Sequence, residues 1–429
     1  MRAPVVLSPR RQQLELNGLS MQIIRRLLVL LFSIVWGVGC GGNLSTASNP
    51  VGQTVVLVSI DGFRWDYIDR PGAVVLRQIA ETGVRARTMQ PVFPTKTFPN
   101  HYSIVTGLHP EHHGIVSNTM EDSDLGRFSL GNRDAVTDAR WWAGEPIWVT
   151  AQRQGLKTAP YFWPGSEAAI GGIRPTYWKQ FDDNVPNETR AQWVLDALAM
   201  PVDSAPSLIS VYFSEVDHAG HGFGPDSPDV DSAIASVDRT LARLWNGIVS
   251  MGLRDQVNLV IVADHGMAPL SPDRMILLDE ILADGTYRVV DWSPMAAIVP
   301  ENGREDEIVT RLSAVPHLTV FRRGEVPARL HYNDNPRIQP VLALADDEWQ
   351  ITSTPRAQAR ASLGGDHGYD NAATNMGALF VAAGPAFAKG MVVDRVRTLD
   401  LYELMCRVLG ITPASNNGSL DSIAAVLQP

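Results

Sequence analysis

Four separated segments carry the residue types that bind metal ions. Asp61 closes the apolar run Thr54–Ile60. Asp217 and His221, four apart, follow Leu208–Phe213. Asp264 and His265 follow Val257–Val262, and His367 sits in Gly364-Gly365-Asp366-His367-Gly368-Tyr369. A single aspartate after a strand is ordinarily a turn or a cap. Four Asp/His segments, each ending an apolar run or flanked by glycine, point to a shared site. Three carboxylates and three imidazoles with no thiolate suit zinc or a similar transition metal. Six side chains exceed the needs of one four-coordinate ion and suggest a pair. Thr97, in Pro94-Thr95-Lys96-Thr97-Phe98-Pro99-Asn100-His101, heads a predicted helix, where free N–H groups and the dipole favour an anion. Taken alone, a threonine there reads as an N-cap.

The elements that must hold these residues alternate. Buried strands are predicted over Thr54–Ile60, Leu208–Phe213, Val257–Val262 and Ala378–Ala382, because short apolar, β-branched runs mark strands covered on both faces. Helices are predicted over 71–83, 97–107, 228–251 and 399–409, from apolar spacing and from Pro and Gly boundaries. The fold class is therefore α/β, a mainly parallel central sheet flanked by helices. Sites in such sheets gather beyond the carboxyl ends of the strands. Residues 278–360 break the rhythm and read as a smaller inserted α+β subdomain. That leaves 54–277 and 361–429 as the main domain.

With 429 residues, 45% hydrophobic and 19% charged, the chain is neither disordered nor a polytopic membrane protein, and no repeat period is visible. Its net charge of −10 repels polyphosphate backbones and argues against a duplex nucleic-acid partner. Metal cations are the natural source of positive charge for a small anionic substrate. Met21 to Arg26 is a basic start and Leu27 to Gly39 an apolar run, the pattern of a signal peptide over 21–40. Val38-Gly39-Cys40-Gly41 resembles a lipoprotein cleavage box, with 41–53 as a tether. Periplasmic export or lipid anchoring follows; soluble export and a buried first helix are the other readings. Met21 stands beside Met1 as a candidate start. The only other cysteine, Cys406, lies among leucines and reads as an inert core thiol.

The chain resembles the nucleotide pyrophosphatase/phosphodiesterases of the alkaline phosphatase superfamily, most of all the bacterial type without added terminal modules. The resemblance runs from about residue 54 to 412. It rests on Ser59-Ile60-Asp61-Gly62, Thr97-Phe98-Pro99-Asn100-His101, Gly114-Ile115-Val116-Ser117-Asn118, Trp163-Pro164-Gly165-Ser166-Glu167, Asp217-His218-Ala219-Gly220-His221, Asp264-His265-Gly266-Met267 and Asp366-His367-Gly368-Tyr369. It implies an alkaline phosphatase-like fold and two Zn²⁺ per chain. One zinc would be held by Asp61, Thr97, Asp264 and His265, the other by Asp217, His221 and His367. Thr97 would be the nucleophile, and Asn118 with the Phe98 N–H would bind a phosphoryl oxygen. Phe181, where related enzymes carry tyrosine, would stand opposite Tyr212 to sandwich a base.

The implied reaction is hydrolysis of a small-molecule nucleotide diester to a nucleoside 5'-monophosphate through a threonine ester. It is chemically coherent, because zinc lowers the pKa of a bound hydroxyl. A sulfatase would need a Cys or Ser nucleophile and an Arg that the Thr97 motif lacks. Neutral Asn118 in the phosphate pocket favours a singly charged diester over a monoester. Choline or lipid head-group diesters remain an alternative, as does a catalytically silent exported metal-binding module. A mutase-like isomerase would use Ser and lack the export signal. His101, His112, His113, His218, His317 and His331 read as structural or surface residues. Asp366, beside His367, is a candidate for orienting it, with a purely structural role as the other reading.

Overall fold

The computed structural model describes residues 53–359 and 364–429. The signal segment, the lipobox-like Cys40 and all of the tether but Gln53 lie outside the described residues. The main sheet has seven strands: β1 (Thr54–Ile60), β2 (Val84–Gln90), β3 (Thr158–Tyr161), β4 (Leu208–Phe213), β5 (Val257–Val262), β6 (Phe380–Ala383) and β7 (Met391–Arg397). Their spatial order is β7-β2-β6-β5-β1-β4-β3. The sheet is mixed, because β6 runs antiparallel to both β5 and β2 while every other pairing is parallel.

β1 is central and buried along nearly its whole length, which is why its sequence is apolar without alternation. Its register fixes the site. Ile60 pairs with Phe213 of β4, and Ser59 with Val262 of β5. The three strands therefore end level, and the acids that follow them emerge along one edge.

The main helices are α1 (Val74–Thr82), α2 (Thr97–Thr106), α3 (Glu215–Phe223) and α4 (Pro228–Ser250). α1 starts three residues later than the sequence suggests, because Pro71-Gly72 forms a turn. Its open N-terminus is closed from outside: the Val75 and Leu76 N–H groups donate to Asp238 Oδ2 and Oδ1 of α4, each at 2.9 Å. Asp238 is buried. Asp238→Ala should lower unfolding free energy by about 2–3 kcal/mol, as lost charge-assisted bonds leave one buried and one part-buried donor without a partner; urea titration checks this.

Residues beyond Leu277 build a second sheet of four antiparallel strands, in the order Tyr287–Asp291, Met295–Pro300, Val341–Ala345, Leu318–Arg322. A helix, Glu305–Ser313, packs on it. Ile298, Ile308, Leu312, Val341 and Ala343 form its own apolar core. The described residues make one compact unit. Among the described residues no helix is long and apolar enough to cross a membrane.

Candidate metal centre and active site

The six Asp/His residues meet at the carboxyl edge of β1, β4 and β5. Asp217, His221 and His367 offer ligand atoms within 4.8 Å of one another; so do Asp61, Asp217 and His265. His265 Nε2 lies 3.4 Å from Asp61 Oδ1 and 2.9 Å from Asp264 Oδ2. His221 and His367 Nε2 are 3.1 Å apart, and they lie 3.5 and 3.7 Å from Asp217 Oδ1. Two glycines permit the approach. Gly62 has φ +66°, and a Cβ there would sit 3.0 Å from Asp217. At Gly364, φ +53°, a Cβ would collide with the His221 carbonyl.

The donor set fits a cation. Each imidazole has its Nδ1 on a backbone carbonyl: His265 on Gly266 at 2.9 Å, His221 on Gly365 at 3.0 Å, His367 on Thr95 at 2.8 Å. A carbonyl only accepts, so each Nδ1 carries the proton and each neutral ring aims the Nε2 lone pair inward. Facing these are Asp61 Oδ1, Asp217 Oδ1 and Asp264 Oδ2, all buried and without a hydrogen-bond partner. His265 Nε2 lies close to Asp264 Oδ2. Six inward acceptors with no donor among them call for positive charge.

The titration directions describe the cluster without a cation. Burial, with the Asp264 and Asp217 charges, holds Asp61 well above the usual carboxylate range. Burial opposes ionisation of Asp264 too, but His265 and His101 outweigh it and hold its carboxyl well below that range. Burial pushes His265 down, but Asp264 outweighs it and the net shift is upward. Burial, then His265 and His221, push His367 well down. Left to itself, the cluster draws protons onto Asp61 and His265 in place of a cation.

His101 belongs to a third such group, with Asp61 and Asp264. Both its nitrogens are already used: Nδ1 donates to Thr97 O at 2.9 Å, and Nε2 accepts from the Ser59 hydroxyl at 2.8 Å. It is a structural contact.

Thr97 is the first residue of α2, and Lys96, not Thr97, is the N-cap. The threonine hydroxyl caps nothing and lies 3.4 Å from His265 Nε2. Asn118 stands beside it, held by the Phe98 N–H, which donates to Asn118 Oδ1 at 2.9 Å. That N–H therefore positions Asn118, which leaves the Asn118 amide NH₂ as the donor for a ligand.

A cavity of about 210 Å³ opens on one side of Thr97, lined by Phe98, Leu130, Phe162, Phe181 and Tyr212 among others. Phe181 and Tyr212 do not face each other as two walls. Their rings meet edge to face at 6.2 Å and 62°, and the Tyr212 hydroxyl donates to Asp61 Oδ2 at 2.6 Å. Phe98 and Phe181 both border the cavity. Sequence reasoning missed the Tyr212–Asp61 bond, which depends on the pairing of Ser59 with Tyr212 across β1 and β4.

A mixed α/β sheet with this Asp/His constellation at its carboxyl edge is the architecture of the alkaline phosphatase superfamily. Within it, the chain belongs to the type I phosphodiesterase / nucleotide pyrophosphatase family, whose model matches residues 55–370. It is 38% identical to human ectonucleotide pyrophosphatase/phosphodiesterase family member 5 over 389 residues, 90% of this chain and 80% of the relative. Identity is 37% to the bis(5'-adenosyl)-triphosphatase of Xenopus laevis, with 90% and 84% covered. Human family member 1 is also 38% identical, but the chain spans only 42% of its length. Murine family member 5 superposes with a TM-score of 0.83 at 39% identity, covering 88% of this chain and 100% of that one. The same protein is known as an inactive threonine-to-alanine variant in complex with AMP, TM-score 0.83. The family is metal-dependent, and the Asp/His groups above are the candidate ligands.

Proposed function

We propose that the chain is a nucleotide pyrophosphatase/phosphodiesterase that releases a nucleoside 5'-monophosphate through a phosphothreonine ester at Thr97. The observation that carries this is the convergence of three buried carboxylate oxygens without a hydrogen-bond partner and three inward-facing Nε2 atoms beside a hydroxyl that caps nothing. Asp61, Thr97, Asp264 and His265 are assigned to one Zn²⁺, and Asp217, His221 and His367 to the second. When bound, the cations supply charge that lowers the pKa of a hydroxyl and offsets negative charge in the transition state.

The remaining roles fall to the chain itself. Thr97 Oγ1 attacks phosphorus, the bond to the leaving oxygen breaks, and a threonine phosphoester forms. Water then hydrolyses that ester and frees the monophosphate. The Asn118 NH₂ donates to a non-bridging phosphoryl oxygen, held in place by the Phe98 N–H. Tyr212 orients Asp61 through its 2.6 Å bond. The nucleobase stacks in the cavity walled by Phe98 and Phe181. We assign the catalytic domain to 54–277 and 361–429, with 278–360 inserted. Export to the periplasm, with lipid anchoring at Cys40, rests on residues 21–40.

The test is metal analysis of the purified protein beside a substrate panel. Close to two zinc ions per chain are expected, with a nucleoside 5'-monophosphate nitrophenyl ester cleaved at least about tenfold faster than glycerophosphocholine. Faster cleavage of the choline ester would transfer the site to head-group diesters. No cleavage of either by zinc-loaded protein would leave a silent metal-binding module.

A further inference from the structure

A second cavity, of about 590 Å³, lies on the His221–His367 side of the cluster, lined by main-domain residues such as Lys96 and Asn118 and by insertion residues such as Asp291 and Arg356. Four of its wall residues carry formal charge: Lys96, Arg356, Asp291 and Asp366. Lys96 immediately precedes Thr97, so its ammonium is the cation nearest in sequence to the nucleophile. That charge is not free. Lys96 Nζ donates to Asp291 Oδ2 at 2.6 Å and to the Trp292 carbonyl at 3.1 Å. The two side chains are only 6% and 13% exposed.

The lysine stem is held as well, since a Cβ at Gly368 would come within 3.0 Å of Lys96 Cε. Asp291 Oδ2 also accepts from the Ser117 hydroxyl, and Oδ1 accepts the Trp292 N–H at 3.0 Å. Asp291 ends an insertion strand, Tyr287–Asp291, so the insertion reaches in and cancels a charge that belongs to the main domain. Arg356 lies over the Trp292 ring at 4.8 Å, and Asp366, in the same wall, carries the opposite formal charge. The cavity is thus close to neutral apart from any metal.

We propose that Asp291 is a specificity-determining residue for the leaving group. By holding the Lys96 ammonium in a buried pair, it withholds from a polyphosphate leaving group one of the two cations in this wall, the one next to the nucleophile, and leaves only Arg356. The enzyme then favours diesters whose leaving group carries little charge. This rests on the phosphodiesterase reading above, in which the leaving group departs on the side away from Thr97 and enters this cavity. An ammonium freed within a few ångström of an entering phosphate strengthens its binding severalfold even at intermediate dielectric.

The test compares ATP, which leaves pyrophosphate, with a dinucleoside monophosphate, which leaves an uncharged nucleoside. The readouts are the ratio of kcat/KM for the two and the inhibition constant for inorganic tripolyphosphate. Asp291→Asn should raise the ratio toward ATP by about tenfold and tighten tripolyphosphate by a similar factor. The double variant Lys96→Gln/Asp291→Asn should return both to the parent values. If Asp291→Asn does not accumulate as folded protein, Lys96→Gln reads the pair from the other side. It bares the carboxylate and should lower the ratio and weaken tripolyphosphate.

Equal loss on both substrates, or no shift in the ratio, overturns the proposal and shows the pair to be structural. A zinc-loaded parent that cleaves neither ester overturns the phosphodiesterase reading instead. In that case tripolyphosphate binding still shows whether Asp291 masks the lysine.

Discussion

Thr97→Ala is expected to cut kcat for a nucleotide diester by about 10⁴-fold or more, the scale seen when a covalent nucleophile is deleted. Metal content and melting temperature should stay near the parent values. The structure separates the two effects. Thr97 occupies the first turn of α2, but its hydroxyl closes no backbone donor, because the N-cap is Lys96. The hydroxyl's neighbour is His265 Nε2 at 3.4 Å, so deleting it breaks no structural bond. The carboxylates and imidazoles that hold cations are untouched. Thr97→Ser keeps an alcohol at the same place and should retain activity within about tenfold of the parent. Release of nitrophenol from a nucleoside monophosphate ester gives the rate, and metal analysis gives the occupancy. A folded, metal-replete alanine variant with near-parental kcat would move the attack from Thr97 to water.

The parts of the molecule that could be read ahead of the structure are those whose surroundings are uniform. β1, β4 and β5 are covered on both faces, and their unbroken apolar runs give their boundaries to the residue. β2 and β7 were invisible for the opposite reason. They sit at the far side of the sheet, where Arg85, Arg87, Asp394 and Arg395 interrupt the pattern. The reversed direction of β6 was also hidden, because a buried strand looks the same read either way.

The Asp/His segments were legible because each follows a readable strand or sits between glycines, and the structure brings all six side chains together. Contacts that depend on where a side chain turns were not legible. The Tyr212 hydroxyl reaches Asp61, and Asp291 crosses from the insertion to Lys96. No local period encodes either contact, since the partners are 151 and 195 residues apart.

Stripping the metal should damage both turnover and stability, and the second effect is the more diagnostic. Asp61, Asp217 and Asp264 each bury a carboxylate oxygen that has no hydrogen-bond partner. Leaving a buried charge without its counter-charge costs about 3–5 kcal/mol where a buried pair is broken. The cluster recovers part of this by taking protons on Asp61 and His265, the groups whose proton affinity burial and Asp264, respectively, raise. A chelator that removes both ions should therefore lower the melting temperature by roughly 5–10 °C and reduce kcat by at least about 10³-fold. Adding zinc back should restore both together. Magnesium should restore neither, because it prefers oxygen ligands and retains water, while half of this donor set is imidazole. Thr97→Ala should show the same fall in melting temperature on chelation, since it keeps every carboxylate and imidazole. A chelated protein free of bound metal that melted and turned over like the parent would mean that the three carboxylates are balanced by protons alone. The six groups would then be a buried acid–base cluster with no metal role.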